Sequence, residues 1–232
     1  IFMLGLPLGL LLAFFTTGAM VKAFDSWRAP FFIAAVPGII LALFMFMIRE
    51  PKRGDAEVVA IQTTAVQQPI RKILAIPTMW WLTLAGLCYN FATYANTSFM
   101  VPMLQRYFGL ELTQAAMSVG VIVGVTGLFA LPLGGWIADR LHVRLRNGRL
   151  LFGGVSLLIT SLLTGIALAA GKIDVAVFVG LFAAGWVFAY NFYTCVYTAV
   201  QDVIEPRLRA TAMALFFAGL YLLGGGLGPV MV

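Results

Sequence analysis

Two stretches of this chain limit its fold more than any others: residues 115–137 and 150–170 each run past twenty residues without a charged side chain. A helix rises about 1.5 Å per residue, so each stretch can cross the ~30 Å of hydrocarbon in a bilayer. Between them charge crowds into residues 134–149, which the sequence marks as a short basic turn joining two membrane helices. Apolar residues make up 62% of the chain and charged residues 10%. Soluble domains have about 45–50% and about 25%. An integral, multi-pass membrane protein follows. The net charge of +6 lies beside apolar runs, where membrane orientation explains it, so nucleic acid is not an expected partner.

Windows of about 20 apolar residues give seven spans, at 1–21, 30–48, 78–104, 113–137, 150–170, 174–200 and 210–232. Their loops alternate between two sides. One side collects eleven basic residues: Arg49, Lys52, Arg53, Arg71 and Lys72, then Arg140, Arg144, Arg146 and Arg149, then Arg207 and Arg209. The other collects four, Lys22, Arg28, Arg106 and Lys172, so the richer side is expected in the cytoplasm of a cell whose plasma or inner membrane holds the protein. Ile1 and Val232 both fall inside apolar runs, and the chain reads as a piece of a longer one. Residues 49–77 form the one long polar segment, expected to link two bundles. Near its end Pro69 is expected to start a short helix, with Ile70, Ile73 and Leu74 on the membrane surface and Arg71 and Lys72 toward headgroups.

Polarity inside the spans is concentrated. The third carries Tyr89, Asn90, Thr93, Tyr94, Asn96 and Thr97; the sixth carries a stripe of Trp186, Tyr190, Tyr193 and Tyr197, flanked by Asn191 and Thr194. Hydrogen bonds between membrane helices average only about 0.6 kcal/mol, so packing alone gives little reason to load two spans this way. These twelve residues are therefore the candidate substrate cavity. Ser118 and Thr126 on the fourth span, and Ser156, Thr160, Ser161 and Thr164 on the fifth, can bond back to their own helices and are read as structural. Gly5 and Gly9 on the first span, spaced for close helix approach, are read as a packing motif, and the glycines around Gly224 and Gly228 as a tightly packed or flexible helix. The second span offers no hydrogen-bonding side chain and reads as scaffold. Trp27 reads as an interfacial anchor.

All nine acidic residues lie in loops or at span ends, so no intramembrane acid–base pair exists, and His142 has no metal-ligating neighbour in sequence. Neither enzyme activity nor a cofactor nor a metal is expected. Cys88 and Cys195 fall within spans and report nothing on redox compartment.

The run Gly135-x-x-x-Asp139-Arg140 resembles the loop signature of the major facilitator superfamily. Where that family has Gly-Arg-Arg shortly after the Asp, this chain has a longer run with Arg144, Arg146, Gly148 and Arg149. The sequence around Trp27-Arg28, Pro37-Gly38 and 49–54, with 134–140, is similar to the Spinster-like branch. The resemblance implies an all-α membrane fold, a partial major-facilitator-type bundle of about seven transmembrane helices corresponding to spans five to eleven of twelve. It implies that residues 1–48 are the last two spans of an N-terminal bundle, 49–77 a cytoplasmic linker, and 78–232 most of a C-terminal bundle. It further implies a secondary active transporter, expected to be monomeric, that moves an amphipathic molecule such as a lysolipid or sphingoid phosphate by alternating access. A multidrug or organic-anion carrier is the alternative, and a non-transporting receptor a weaker one. Protons would couple through residues outside this chain, since none of its spans holds a titratable carboxylate. Gly135, Asp139 and Arg140 would gate the cytoplasmic side; Arg144, Arg146 and Arg149 are read as topology anchors.

Overall fold

The computed structural model describes residues 2–49, 68–145, 147–170 and 174–231. Eight helices run through them: α1 (Gly5–Phe24), α2 (Ala29–Met45), α3 (Pro69–Leu74), α4 (Pro77–Phe108), α5 (Leu112–Arg144), α6 (Gly148–Ala169), α7 (Val175–Val203) and α8 (Pro206–Gly225). All but α3 correspond to an expected span. Five are long and apolar enough to cross a bilayer: α1, α5, α6, α7 and α8. Helix α4 is longer than most of these, at 32 residues, and falls outside that set because its interior is polar; α2, at 17 residues, is simply short.

Local chemistry sets the boundaries. Gly109 takes a left-handed φ of 68° and ends α4, a conformation that costs glycine nothing. Glu111 and Gln114 exchange a capping box that starts α5. Asp174 caps α7 by accepting from the Ala176 N–H at 2.7 Å. Helix α3 begins at Pro69 as expected, but Ile73 is buried in protein instead of facing the membrane. The Trp80 indole N–H donates to the Leu74 carbonyl at 2.8 Å and ties the end of α3 to α4.

Two compact units emerge. The smaller, residues 16–67, holds the end of α1 and all of α2, in which no residue is buried. An apolar helix exposed on every side suits hydrocarbon and not water. Trp27, an exposed residue beside α2, carries the Arg28 guanidinium 4.6 Å from its ring centroid. Residues 50–67, most of the expected linker, lie outside the described residues, as do Arg146 and Lys172.

The larger unit, residues 1–15 and 68–232, packs α4, α5, α6 and α7 about a core that includes Leu104, Val119, Ile122, Ala167, Phe178, Phe182 and Trp186. Lipid is as apolar as these side chains, so close fit and dispersion, not escape from water, hold such helices together. Glycines supply the fit, though not the pair expected. A Cβ on Gly5 or Gly9 would touch nothing within 4 Å among the described residues. The small-residue stripe is on α5 instead: Gly120, Gly124 and Gly127 receive Phe15, Leu11 and Pro7 of α1. At the α4–α8 crossing, a Cβ on Gly224 would lie 2.6 Å from the Leu87 carbonyl oxygen, and one on Gly228 2.6 Å from that of Phe91. The tight-packing reading of Gly224 and Gly228 describes this contact. Both α5 and α8 widen into one π-helical stretch, at Gly120–Val125 and Gly219–Gly225.

Candidate functional site

The polar residues of α4 divide between two sides of the helix. Tyr89 and Tyr94 are five residues apart, about 140° around the axis. On one side Tyr89, Thr93 and Asn96 line a cavity of about 300 Å³, together with Trp186 of α7 and Thr160, Ser161 and Thr164 of α6. Two of the three hydroxyl residues of α6 bond within the protein as expected of structural groups, Thr160 to the carbonyls of Ser156 and Gly185, and Thr164 to that of Thr160. They nonetheless form a wall of this cavity, which their sequence pattern did not announce. Tyr89 closes it, donating to the Ala189 carbonyl at 2.9 Å and stacking on Phe192 at 4.4 Å between centroids.

On the other side of α4, Asn90 and Tyr94 face α8. Asn90 is fully buried, donates to the Gly86 carbonyl at 3.2 Å, and accepts from the Tyr193 hydroxyl at 3.4 Å. From Tyr193 a run of rings continues: Tyr197 at 5.4 Å, then Phe217 at 5.3 Å, Tyr221 at 5.9 Å and Tyr94 at 6.2 Å, each measured from the ring before. Five of the seven tyrosines in the chain, Tyr89, Tyr94, Tyr193, Tyr197 and Tyr221, thus gather where α4, α7 and α8 meet. Phe217 and Tyr221 were not singled out in the sequence. Their span is otherwise apolar and glycine-rich, and only a spacing of four between two aromatic residues hinted at a shared face.

The remaining candidates serve other contacts. Tyr190 donates to the Val123 carbonyl at 2.6 Å, inside the π-helical stretch of α5. Asn191 donates to the Ser156 hydroxyl at 3.3 Å, while its buried Oδ1 has no hydrogen-bond partner among the described residues. That oxygen occupies the space a Cβ on Gly134 would need. Thr97 and Thr194 bond back to their own helices. So the twelve residues form no single pocket: they divide among a cavity, an aromatic cluster and bonds between helices.

Residues 134–144 continue α5 and are not part of a turn, because nothing before Asn147-Gly148 breaks a helix there. His142 and Arg144 then sit in its last turn, where positive charge suits the helix dipole. Asp139 does not pair with its neighbour Arg140, which lies 4.0 Å over the Trp136 ring. Its partner is Arg149, at 2.9 Å, and Arg149 also reaches Asp202 at 3.0 Å. Arg149 is therefore more than a topology anchor, since it joins the ends of α5, α6 and α7. Gly135 has room, the nearest atom to a Cβ there being a Thr194 methyl at 3.8 Å.

The model of the Major Facilitator Superfamily matches residues 1–229. The chain belongs to that superfamily. Protein spinster of Drosophila melanogaster is 23% identical to it over 241 residues, covering 100% of the chain and 40% of the fly protein. An MFS-type efflux pump of Mycolicibacterium smegmatis is 26% identical over 228 residues, covering 93% of the chain and 49% of the pump. The crystal structure of a bacterial homologue of the human lysosomal transporter Spinster, inward-facing and unoccupied, superposes with a TM-score of 0.76 at 25% identity, over 97% of this chain and 53% of that one. The chain thus spans about half the length of these relatives. Its fold is a partial bundle of the major facilitator type, and Spinster proteins are among the relatives and solved structures it resembles. The superfamily's loop signature has a structural counterpart here: the Asp of the signature is held by Arg149, the last arginine of the longer run that replaces Gly-Arg-Arg.

Proposed function

We propose that the complete protein is a secondary active transporter that moves an amphipathic small molecule, a lysolipid or sphingoid phosphate, across the bilayer by alternating access. The observation that carries this reading is the tyrosine cluster, polar yet uncharged, held between the helices that were loaded with polar residues. An amphipathic substrate needs ring faces for its hydrocarbon and a few hydroxyls or amides for its polar part, and the cluster offers both. Membership of the superfamily and the likeness to Spinster relatives support transport. Residues 1–48 are assigned to the end of an N-terminal bundle, 49–77 to a linker and 78–232 to most of a C-terminal bundle, the halves rocking about a midplane site. Proton coupling is assigned to carboxylates outside this chain, and the protein is taken to act as a monomer.

Asp139 is assigned to the gate, now with Arg149 and Asp202. Asp139→Asn removes one arm of the Arg149 fork and is expected to shift the balance between inward and outward states. Labelling of cysteines placed on both faces measures this, and unchanged accessibility would remove Asp139 from the gate.

A second reading, a carrier of drugs or organic anions, is favoured by the likeness to the mycobacterial efflux pump. One experiment separates the two. The complete protein is reconstituted in liposomes with a pH dye inside, and a lysophospholipid is added, then a panel of drug-like cations and organic anions. A pH change evoked by the lipid alone supports the lipid carrier with proton coupling. A response to the panel alone selects the second reading. Silence throughout rejects proton coupling and moves the question to labelled-substrate flux, where flux of a lipid supports the first reading and absence of all flux overturns transport.

A further inference from the structure

We propose that Phe217 and Tyr221 of α8 complete, with Tyr94, Tyr193 and Tyr197, an uncharged wall that takes the neutral body of an amphipathic ligand, its hydrocarbon and its ester or hydroxyl oxygens, and leaves any ionised headgroup to be held elsewhere. The inference rests on the transporter reading of this site and names which part of the substrate meets this half of the protein.

Charge is the first ground. Residues 78–105 of α4, 175–201 of α7 and 210–225 of α8 contain no Asp, Glu, Lys or Arg. An ionised group brought against this wall would leave water without a counter-charge, at a cost that far exceeds what a phenol hydroxyl returns. A neutral ester or hydroxyl incurs no such cost and is matched by tyrosine O–H groups, which both donate and accept.

Geometry is the second. The ring run from Tyr193 to Tyr94 advances in steps of 5.3 to 6.2 Å with edge-on and tilted pairs alternating, close enough that a hydrocarbon segment lying along it meets one ring after another, by edge or by face. The Tyr193 hydroxyl is hydrogen-bonded to Asn90, and the Tyr197 ring packs edge-on against Phe216 and Phe217, so these rings are fixed in place. Tyr94 and Tyr221 stay 37% and 43% exposed, which leaves their surfaces open to a ligand. Glycine makes this possible: Gly225 lies against the Tyr94 ring, where a Cβ would come within 3.4 Å. The competing recognition is a cation–π cage, in which the same rings would bind a quaternary ammonium headgroup. The absence of any carboxylate along these stretches argues for the neutral body instead.

The test uses the complete protein in proteoliposomes and three radiolabelled lysophospholipids that share one acyl chain and differ in headgroup: choline, ethanolamine and glycerol. Phe217→Ala is expected to raise KM about tenfold, by the same factor for all three, with maximal rate unchanged. Tyr221→Phe, which keeps the ring and removes only the hydroxyl, is expected to raise KM by about two- to fivefold, again equally, and serves if the alanine variant does not fold. A loss confined to the choline lipid would overturn the proposal in favour of a cation–π cage, and no change in either variant would overturn it outright. If the unaltered protein moves none of the three, the lipid reading is what fails. The wall is then scored by binding of a neutral, a cationic and an anionic amphiphile to the purified protein. Equal weakening of all three by Phe217→Ala upholds it; weakening of a charged probe alone, or no weakening, overturns it.

Discussion

At the α4–α8 crossing two backbones meet through glycine and every polar side chain nearby is neutral; at the shared end of α5, α6 and α7 the contact is made by one arginine between two aspartates. Gly224 and Gly228 bring α8 onto carbonyls of α4, and Asn90 and the tyrosines fill what remains. Asp139, Arg149 and Asp202 hold their helices through long side chains, with the acids 69% and 54% exposed. The difference follows from where water is. An ion pair at a helix end keeps part of its hydration, so it can break and reform cheaply. Deep between helices an unpaired polar atom cannot be rehydrated, so the contact is neutral, close and fixed. The first arrangement suits a latch and the second a wall.

Substitutions can break that contrast. The largest effect is expected from Gly224→Val, whose side chain has no space beside Leu87 and Asn90; a loss of about 2–3 kcal/mol should appear as a lowered Tm of the purified protein. Arg149→Ala leaves two acids unpaired, and because both are well exposed the cost should be smaller, about 1 kcal/mol, and should shrink in high salt. If Arg149→Ala proved the more damaging of the two, or its effect were blind to salt, the picture of a hydrated latch would be wrong. Tyr193→Phe removes one long hydrogen bond to Asn90 and should cost about 0.6 kcal/mol, measured against Asn90→Ala in a double-mutant cycle. Thr97→Val should change Tm least, by under about 0.3 kcal/mol, because its hydroxyl bonds only to its own helix. A large effect there would mean that Thr97 meets something beyond α4.

The helices themselves were legible from the chain. Uncharged runs announce the membrane helices and Pro69 the start of the short helix α3, because each of these signals acts within a few residues of itself. Loading of α4 and α7 with Tyr, Asn and Thr was equally plain. Less legible was the end of α5: charge suggested a turn at residues 134–149, but Asp, Arg and Leu are all compatible with a helix, and the chain breaks only at Asn147-Gly148.

The class of protein and the superfamily could be read from the chain alone, since apolar length, charge placement and a local loop signature are one-dimensional properties. It took the folded arrangement to show that Asp139 pairs with Arg149 and not with Arg140, that Tyr89 donates to the Ala189 carbonyl while Asn90 accepts from Tyr193, that Gly120 and Gly124 rather than Gly5 and Gly9 admit another helix, and that Phe217 and Tyr221 join the tyrosines. The reason is physical. In a medium where every helix surface is apolar, periodicity shows that a face exists but not what covers it, and rotation of one helix against another by a fraction of a turn reassigns each partner.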